Sequence, residues 1–149
     1  MRAAVQRIEK ASVSVRGVVI SQVGAGLLVY VGCAQGDTEE DARYLAEKVA
    51  GLRIFADEQG KMNRSVADVG GEVLAVSAFT LQADARKGRR PAFDAAAAAD
   101  EANPLCEAFT RSLRAAGLRV AEGSFGEHML VESVNNGPIC VLLDSRRLF

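Results

Sequence analysis

GLLVYVGCAQGDTEEDARYLAEKVAGLRIF, residues 26–55, contains the change of pattern that decides the fold. Between Gly26 and Gly32 the chain is apolar without alternation, which reads as a central strand covered on both faces. Gly36-Asp37-Thr38, followed by Glu39, Glu40 and Asp41, is a helix start: a short polar cap, then acids that favour the positive end of the helix dipole. Tyr44, Leu45, Lys48, Val49 and Leu52 keep helical spacing, and Gly51 sits near the stop. Arg53-Ile54-Phe55 then returns to a short strand.

Working outward, residues 1–16 alternate through Val5, Ile8 and Ser12-Val13-Ser14-Val15, a period of two that predicts one or two strands ended by Gly17. Val18-Val19-Ile20 is the next strand, separated from residues 26–32 by Gly24 and Gly26. On the other side, a polar turn around Gly60 and another at Asp68-Val69-Gly70-Gly71 lead to a buried strand over Glu72–Thr80. Asp94–Ala99 is alanine-rich and favours helix. Asn103-Pro104 reads as a helix start with Pro in the first turn. Leu105, Phe109, Leu113 and Ala116 form its apolar stripe, and Gly117 ends it. Strands follow at Leu118–Glu122, Met129–Val134 and Ile139–Leu143, the last two parted by the turn Asn135-Asn136-Gly137-Pro138. The order predicts one α+β domain, residues 1–149, with a mixed or antiparallel sheet and two main helices.

Composition narrows the chemistry. The 149 residues carry 18 basic and 19 acidic side chains, a net charge of −1, so the chain is not a globally basic nucleic-acid binder, although a local patch is allowed. No apolar run approaches the ~18 residues of a membrane span, and MRAAVQRIEK has no signal-peptide core. Cys33, Cys106 and Cys140 have no CxxC spacing, which suits a reduced cytoplasmic protein. With His128 the sole histidine, a His- or Cys-rich metal site cannot be assembled within one chain, and no cofactor is expected. A Ser-His-Asp triad could run only through His128, in a stretch that reads as a solvated loop. Phosphate cradles of the GxGxxG or GxxxxGK[ST] kind are missing.

Two stretches remain that could carry chemistry. Ser77 and Thr80 bracket the end of a buried strand, where hydroxyls ordinarily cap the backbone. Arg86-Lys87-Gly88-Arg89-Arg90 then sets four cations within five residues. Such a cluster repels itself and points to phosphate, and Arg146 and Arg147 could extend it.

Together these pieces resemble the D-aminoacyl-tRNA deacylase family along the whole chain, from MRAAVQRIEKASVSV through GKMNRSVADVGGEVLAVS and FTLQADARKGRRPAF to NNGP. The family's two signature motifs stand here as Ser77-Ala78-Phe79-Thr80 and as Asn135-Asn136-Gly137-Pro138-Ile139-Cys140. The resemblance implies a barrel-like sheet and a homodimer that hydrolyses the ester between a D-amino acid and the terminal adenosine of tRNA. It implies a cis Gly137-Pro138 bond that reaches into the other subunit's pocket and excludes L side chains, so that glycine mischarged on tRNA-Ala also passes. Asn135, Asn136 and Cys140 would support that motif, and Arg86, Lys87, Arg89 and Arg90 would hold tRNA. Backbone N–H groups near Phe79 and Thr80 would form the oxyanion hole, with Thr80 either a nucleophile or an orienting hydroxyl.

Elementary chemistry favours the orienting role, because a Thr hydroxyl needs a base and an aminoacyl ester is already activated. Two positions depart from the family pattern: Ala78 stands where it has Gln, and Cys140 where it has Thr. Ala78 suggests a second reading, a tRNA- or RNA-binding module that keeps the basic loop and has lost its chemistry; a third is a structural dimerisation domain with an incidental basic loop.

Overall fold

The computed structural model describes residues 1–149. Its centre is a parallel pair, β3 (Gly26–Gly32) beside β6 (Glu72–Ser77), with Val29 opposite Ala75 and Val31 opposite Ser77. Both strands are apolar without alternation because each face feeds a different core. Leu27, Val29, Val31, Val73 and Ala75 point into the larger one, and Leu28, Leu74 and Val76 into the smaller. Burial on both faces is what a parallel pair requires.

β1 (Arg2–Val15) frames this pair. One edge of β1 carries β8 (Leu130–Asp144) from Arg2 to Ser14; the other carries β3 along its first half and β2 (Val18–Val23) along its second. β7 (Arg119–Glu122) extends the sheet in parallel beyond β6. β2 comes back against β6 and β7, so the mixed sheet curls into a nearly closed, barrel-like layer. Ile8, Ala11, Val13, Val23, Leu28, Leu74 and Val76 fill its inside. Helices α1 (Glu39–Gly51) and α2 (Ala99–Ala115) cover the outer face through Leu45, Val49, Phe109 and Leu113. The α+β architecture with two main helices is as expected. A two-stranded ribbon, β4 (Phe55–Ala56) and β5 (Met62–Arg64), completes it. No helix is long and apolar enough to cross a membrane.

α1 begins where the acids announce it. The Asp41 carboxylate accepts the backbone N–H of Thr38 at 2.8 Å and its hydroxyl at 2.9 Å. Other boundaries move. Ile54 is not in a strand: its carbonyl is taken by Arg7 Nη1 at 2.6 Å, and β4 starts one residue later. The alanine-rich Asp94–Ala98 is not helical: a turn closed by Ala96 N–H on Phe93 O at 2.9 Å opens it, and Cys33–Gln35 offers it backbone partners, Gln35 N–H to Ala95 O at 2.9 Å and Ala97 N–H to Cys33 O at 3.0 Å. These tertiary bonds outweigh a propensity of a few tenths of a kcal/mol per residue. α2 therefore starts at Ala99, and Pro104 lies inside it rather than opening it.

Two further corrections bear on function. β6 ends at Ser77, not Thr80, and a 3-10 turn spans Phe79–Gln82. Asn135-Asn136-Gly137-Pro138 is no turn between strands; β8 runs through it, with register shifts opposite Gln6–Lys10.

Candidate active site

A cavity of about 530 Å³ opens where β3 and β6 end, walled by α2 and by the loop before β8. Ser77, Ala78, Phe79 and Thr80 all line it, together with Cys106 of α2 and Met129. Thirteen of its 19 lining residues are hydrophobic, so a polar group presented here works in a site poor in competing dipoles.

The turn that presents Phe79 and Thr80 is tightly held. Ala78 N–H donates to Val31 O at 2.8 Å, and Leu81 N–H closes the turn on Ala78 O at 3.1 Å. The buried Gln82 amide donates to Gly32 O at 2.9 Å, and Arg2 donates to Leu81 O at 3.0 Å and to Asp144 at 3.0 Å. Gly32 is obligatory: a Cβ there would lie 2.5 Å from Ala78 O. The N–H groups of Phe79 and Thr80 open the turn and so have no acceptor within it. Contrary to the capping expectation, no side chain caps this turn. His128, expected as a solvated loop residue, is exposed but lines the same cavity, without a hydrogen bond to Ser77 or Thr80. No nucleophile–base pair is assembled. Burial pushes the Tyr30 phenol in the cavity wall upward.

The second motif is an excursion of β8. The Asn135 side chain closes it on both backbone groups of one residue, accepting Ile139 N–H at 2.9 Å and donating to Ile139 O at 3.3 Å. Arg7 grips Asn136 through its carbonyl at 3.1 Å and its amide oxygen at 3.2 Å, and Glu9 takes the Asn136 amide. Gly137 and Pro138 are left exposed, joined by a cis peptide bond. Gly137 has φ +138°, and a Cβ on it would lie 2.7 Å from Ile139. Cys140 follows, exposed, opposite Gln6 of β1.

The two motifs do not meet within one chain. Asn135 pairs across Ile8, and Ile8 pairs with Gly26 at the start of β3, whereas Ser77 pairs with Val31 near its end. Five residues of strand separate those levels, roughly 16 Å at 3.3 Å per residue.

The basic segment is a hairpin-like loop pinned by Asp84 and Ala92, which exchange backbone bonds at 2.8 and 2.9 Å. Phe93 packs edge-on against Phe79, centroids 5.2 Å apart, which ties the loop to the site turn. Its four cations are not equivalent. Arg86 is held by Asp84 through contacts of 2.9 and 2.6 Å, and the Arg86 side chain in turn keeps the Asp84 carboxyl well below the usual range. Lys87, Arg89 and Arg90 are exposed and enter no salt bridge. Arg146 belongs elsewhere: it binds the buried carboxylate of Asp37 at 3.0 Å, and Arg147 lies over Tyr44. Sequence reasoning missed Arg7, Gln82 and Asp84. The signals were a cation inside an apolar strand, an amide in a buried turn and an acid two residues before Arg86.

Fold and site together define an α+β barrel-like chain whose candidate centre is made of backbone groups. A family model described as D-Tyr-tRNA(Tyr) deacylase matches residues 4–144, and the chain belongs to that family. A D-aminoacyl-tRNA deacylase of Heliobacterium modesticaldum is 58% identical over 146 residues, 98% of this chain and 97% of that protein. Among solved structures, a c-Myc DNA unwinding element binding protein superposes with a TM-score of 0.91 at 38% identity, covering 97% of this chain and 98% of that one. A probable eukaryotic D-amino acid tRNA deacylase shares the fold, with a TM-score of 0.79 at 20% identity over 95% of this chain and 97% of that one.

Proposed function

We propose that the chain is a cytoplasmic D-aminoacyl-tRNA deacylase in which backbone groups do the chemistry. Water adds to the carbonyl carbon of the aminoacyl ester, the oxyanion is received by the N–H groups of Phe79 and Thr80, and collapse expels the ribose oxygen. The neighbouring 2′-hydroxyl of the terminal ribose assists the proton transfer, and Thr80 orients rather than attacks. The observation that carries this reading is the clamped Ala78–Gln82 turn, which leaves two N–H donors at an apolar cavity with no base bonded to either hydroxyl.

Chirality is selected by Gly137-Pro138 of a second copy, reaching over the cavity so that its carbonyls grip the substrate amino group and leave no room for an L side chain. The separation of the motifs along β3 supports a two-copy site, since one chain cannot bring them together. Asn135 and Asn136 support that excursion beside Cys140. Selection by exclusion also admits glycine mischarged on tRNA-Ala. Lys87, Arg89 and Arg90, with Arg86 braced on Asp84, bind tRNA phosphates. The Ala78 departure keeps its N–H, and the Cys140 departure leaves Gly137 and Pro138 in place.

Matched D- and L-tyrosyl-tRNA and glycyl-tRNA-Ala test this reading, with wild type, Ala78→Gln and Thr80→Ala. The D and glycyl esters are hydrolysed and the L ester is spared; Thr80→Ala loses no more than about tenfold, the worth of one hydrogen bond. Equal hydrolysis of both enantiomers, or of neither, defeats the chiral filter. A folded but inactive Thr80→Ala together with a trapped acyl-enzyme defeats the backbone mechanism. Binding without turnover would select the RNA-binding module instead.

A further inference from the structure

Cys33, just past the end of β3, and Cys106 of α2 sit side by side in the wall of the cavity, sulfur to sulfur at 3.9 Å. Cys33 is 2% exposed, with its sulfur also 3.7 Å from Ala102 O. Cys106 is half-buried and borders both the main cavity and a smaller one of about 140 Å³, which gives small solutes a route to it. The shared S–H contact drives the two thiols apart in acidity: Cys33 is pushed up, first by that contact and then by burial, while Cys106 is drawn down by it. The third cysteine, Cys140, is exposed on β8 and takes no part.

We propose that Cys33 and Cys106 are a redox modification site that closes a reversible intramolecular disulfide under hydrogen peroxide. The Cys106 thiolate attacks one peroxide oxygen, breaking the O–O bond and releasing hydroxide, which leaves with a proton as water; the product is a sulfenic acid at Cys106. The Cys33 thiol then attacks the Cys106 sulfur, forming the S–S bond and expelling the sulfenic oxygen, with the thiol proton, as a second water. Two thiols are oxidised and one peroxide is reduced. Closure draws the sulfurs from 3.9 Å to about 2.05 Å and ties α2 to the end of β3 across the cavity wall. Reduction by a dithiol reverses it. The inference is independent of the ester chemistry above.

The test uses the full chain carrying Cys140→Ser, treated with peroxide under native conditions, then alkylated unfolded and mapped by mass spectrometry. The expected result is a joined Cys33–Cys106 peptide, a chain lighter by two hydrogens, and two alkylatable thiols restored by dithiothreitol. Cys33→Ser in the same background stops at a dimedone-reactive sulfenic acid on Cys106, whereas Cys106→Ser leaves Cys33 a thiol. Sulfenic or sulfinic acid on Cys106 without the bond when both cysteines are present, or two unchanged thiols, overturns the proposal. So does a bond that forms only after unfolding.

Discussion

Gly32→Ala is the most direct probe of the site turn. The added Cβ would fall 2.5 Å from Ala78 O and 3.1 Å from Leu81 Cβ, whereas ordinary contact begins at 3.4 Å, so the Ala78 carbonyl must retreat by about 0.9 Å. That carbonyl accepts the bond that closes the turn, and Gly32 O is the acceptor of the Gln82 amide at 2.9 Å. Relief therefore moves the segment bearing the Phe79 and Thr80 N–H groups. Overpacking of this kind costs about 1–3 kcal/mol, and each kcal/mol lowers the melting temperature of a domain this size by roughly 3 °C. The fold survives, but donors displaced by about 1 Å lose on the order of 100-fold in rate. Single-turnover hydrolysis of D-tyrosyl-tRNA, paired with a thermal melt, reads both quantities. A folded Gly32→Ala variant with wild-type turnover would refute the claim that this turn positions the reacting groups.

Asn135→Ala removes both bonds that close the β8 excursion, at a cost of about 1–2 kcal/mol; discrimination between D and L esters shrinks while the rate on glycyl ester is largely kept, as a direct rate comparison will show. Replacing Lys87, Arg89 and Arg90 with alanine weakens tRNA association and flattens its dependence on log salt by about 0.7–0.9 for every phosphate no longer neutralised; Arg86→Ala alone does less, because Asp84 already neutralises it. Titration supplies another check. Asp57, Asp68 and Asp84 are held below the usual carboxylate range, chiefly by Lys61 N–H, Ser65 N–H and the Arg86 side chain respectively. Each binds fewer protons folded than unfolded, so its stabilisation is full above the unfolded value of about 4 and is lost as pH falls through the lower folded value. Melting temperature should therefore drop between about pH 5 and pH 2, and Asp68→Asn should flatten that drop; an unchanged slope counts against the assignment.

What the sequence made legible follows from where burial writes a periodic signal. The unalternating run Gly26–Gly32 and the acids after Thr38 set the central strand and the first helix without ambiguity, because burial on two faces and a dipole each leave a local mark. The failures have one cause in common, long-range backbone pairing. Ala95 and Ala97 are kept out of a helix because Gln35 and Cys33 bond to them, and no window of neighbouring residues contains that fact. Asn135–Pro138 has the composition of a turn, yet β1 carries the strand past it and Arg7, more than a hundred residues away, holds it. The site divides in the same way. Ser77 and Thr80 stood out as hydroxyls at a strand end, but the groups the structure leaves without a partner in the turn are main-chain N–H groups, which every residue has. Their importance comes from Gln82 and Gly32, which were legible only as a polar and a small residue. Membership of the family came from residue identities along the whole chain and from none of these physical signals.

The placement of Ser77 and Gly137 at opposite levels of β3 has a consequence for heredity as well as geometry. On the two-copy reading, each polypeptide carries one half of each of two centres, and a two-fold arrangement completes both or neither. A lesion in the donor half and a lesion in the filter half then lie on complementary faces. An assembly mixing the two defective chains regains one intact centre and loses the other outright, so two defective alleles can complement each other in the same cell.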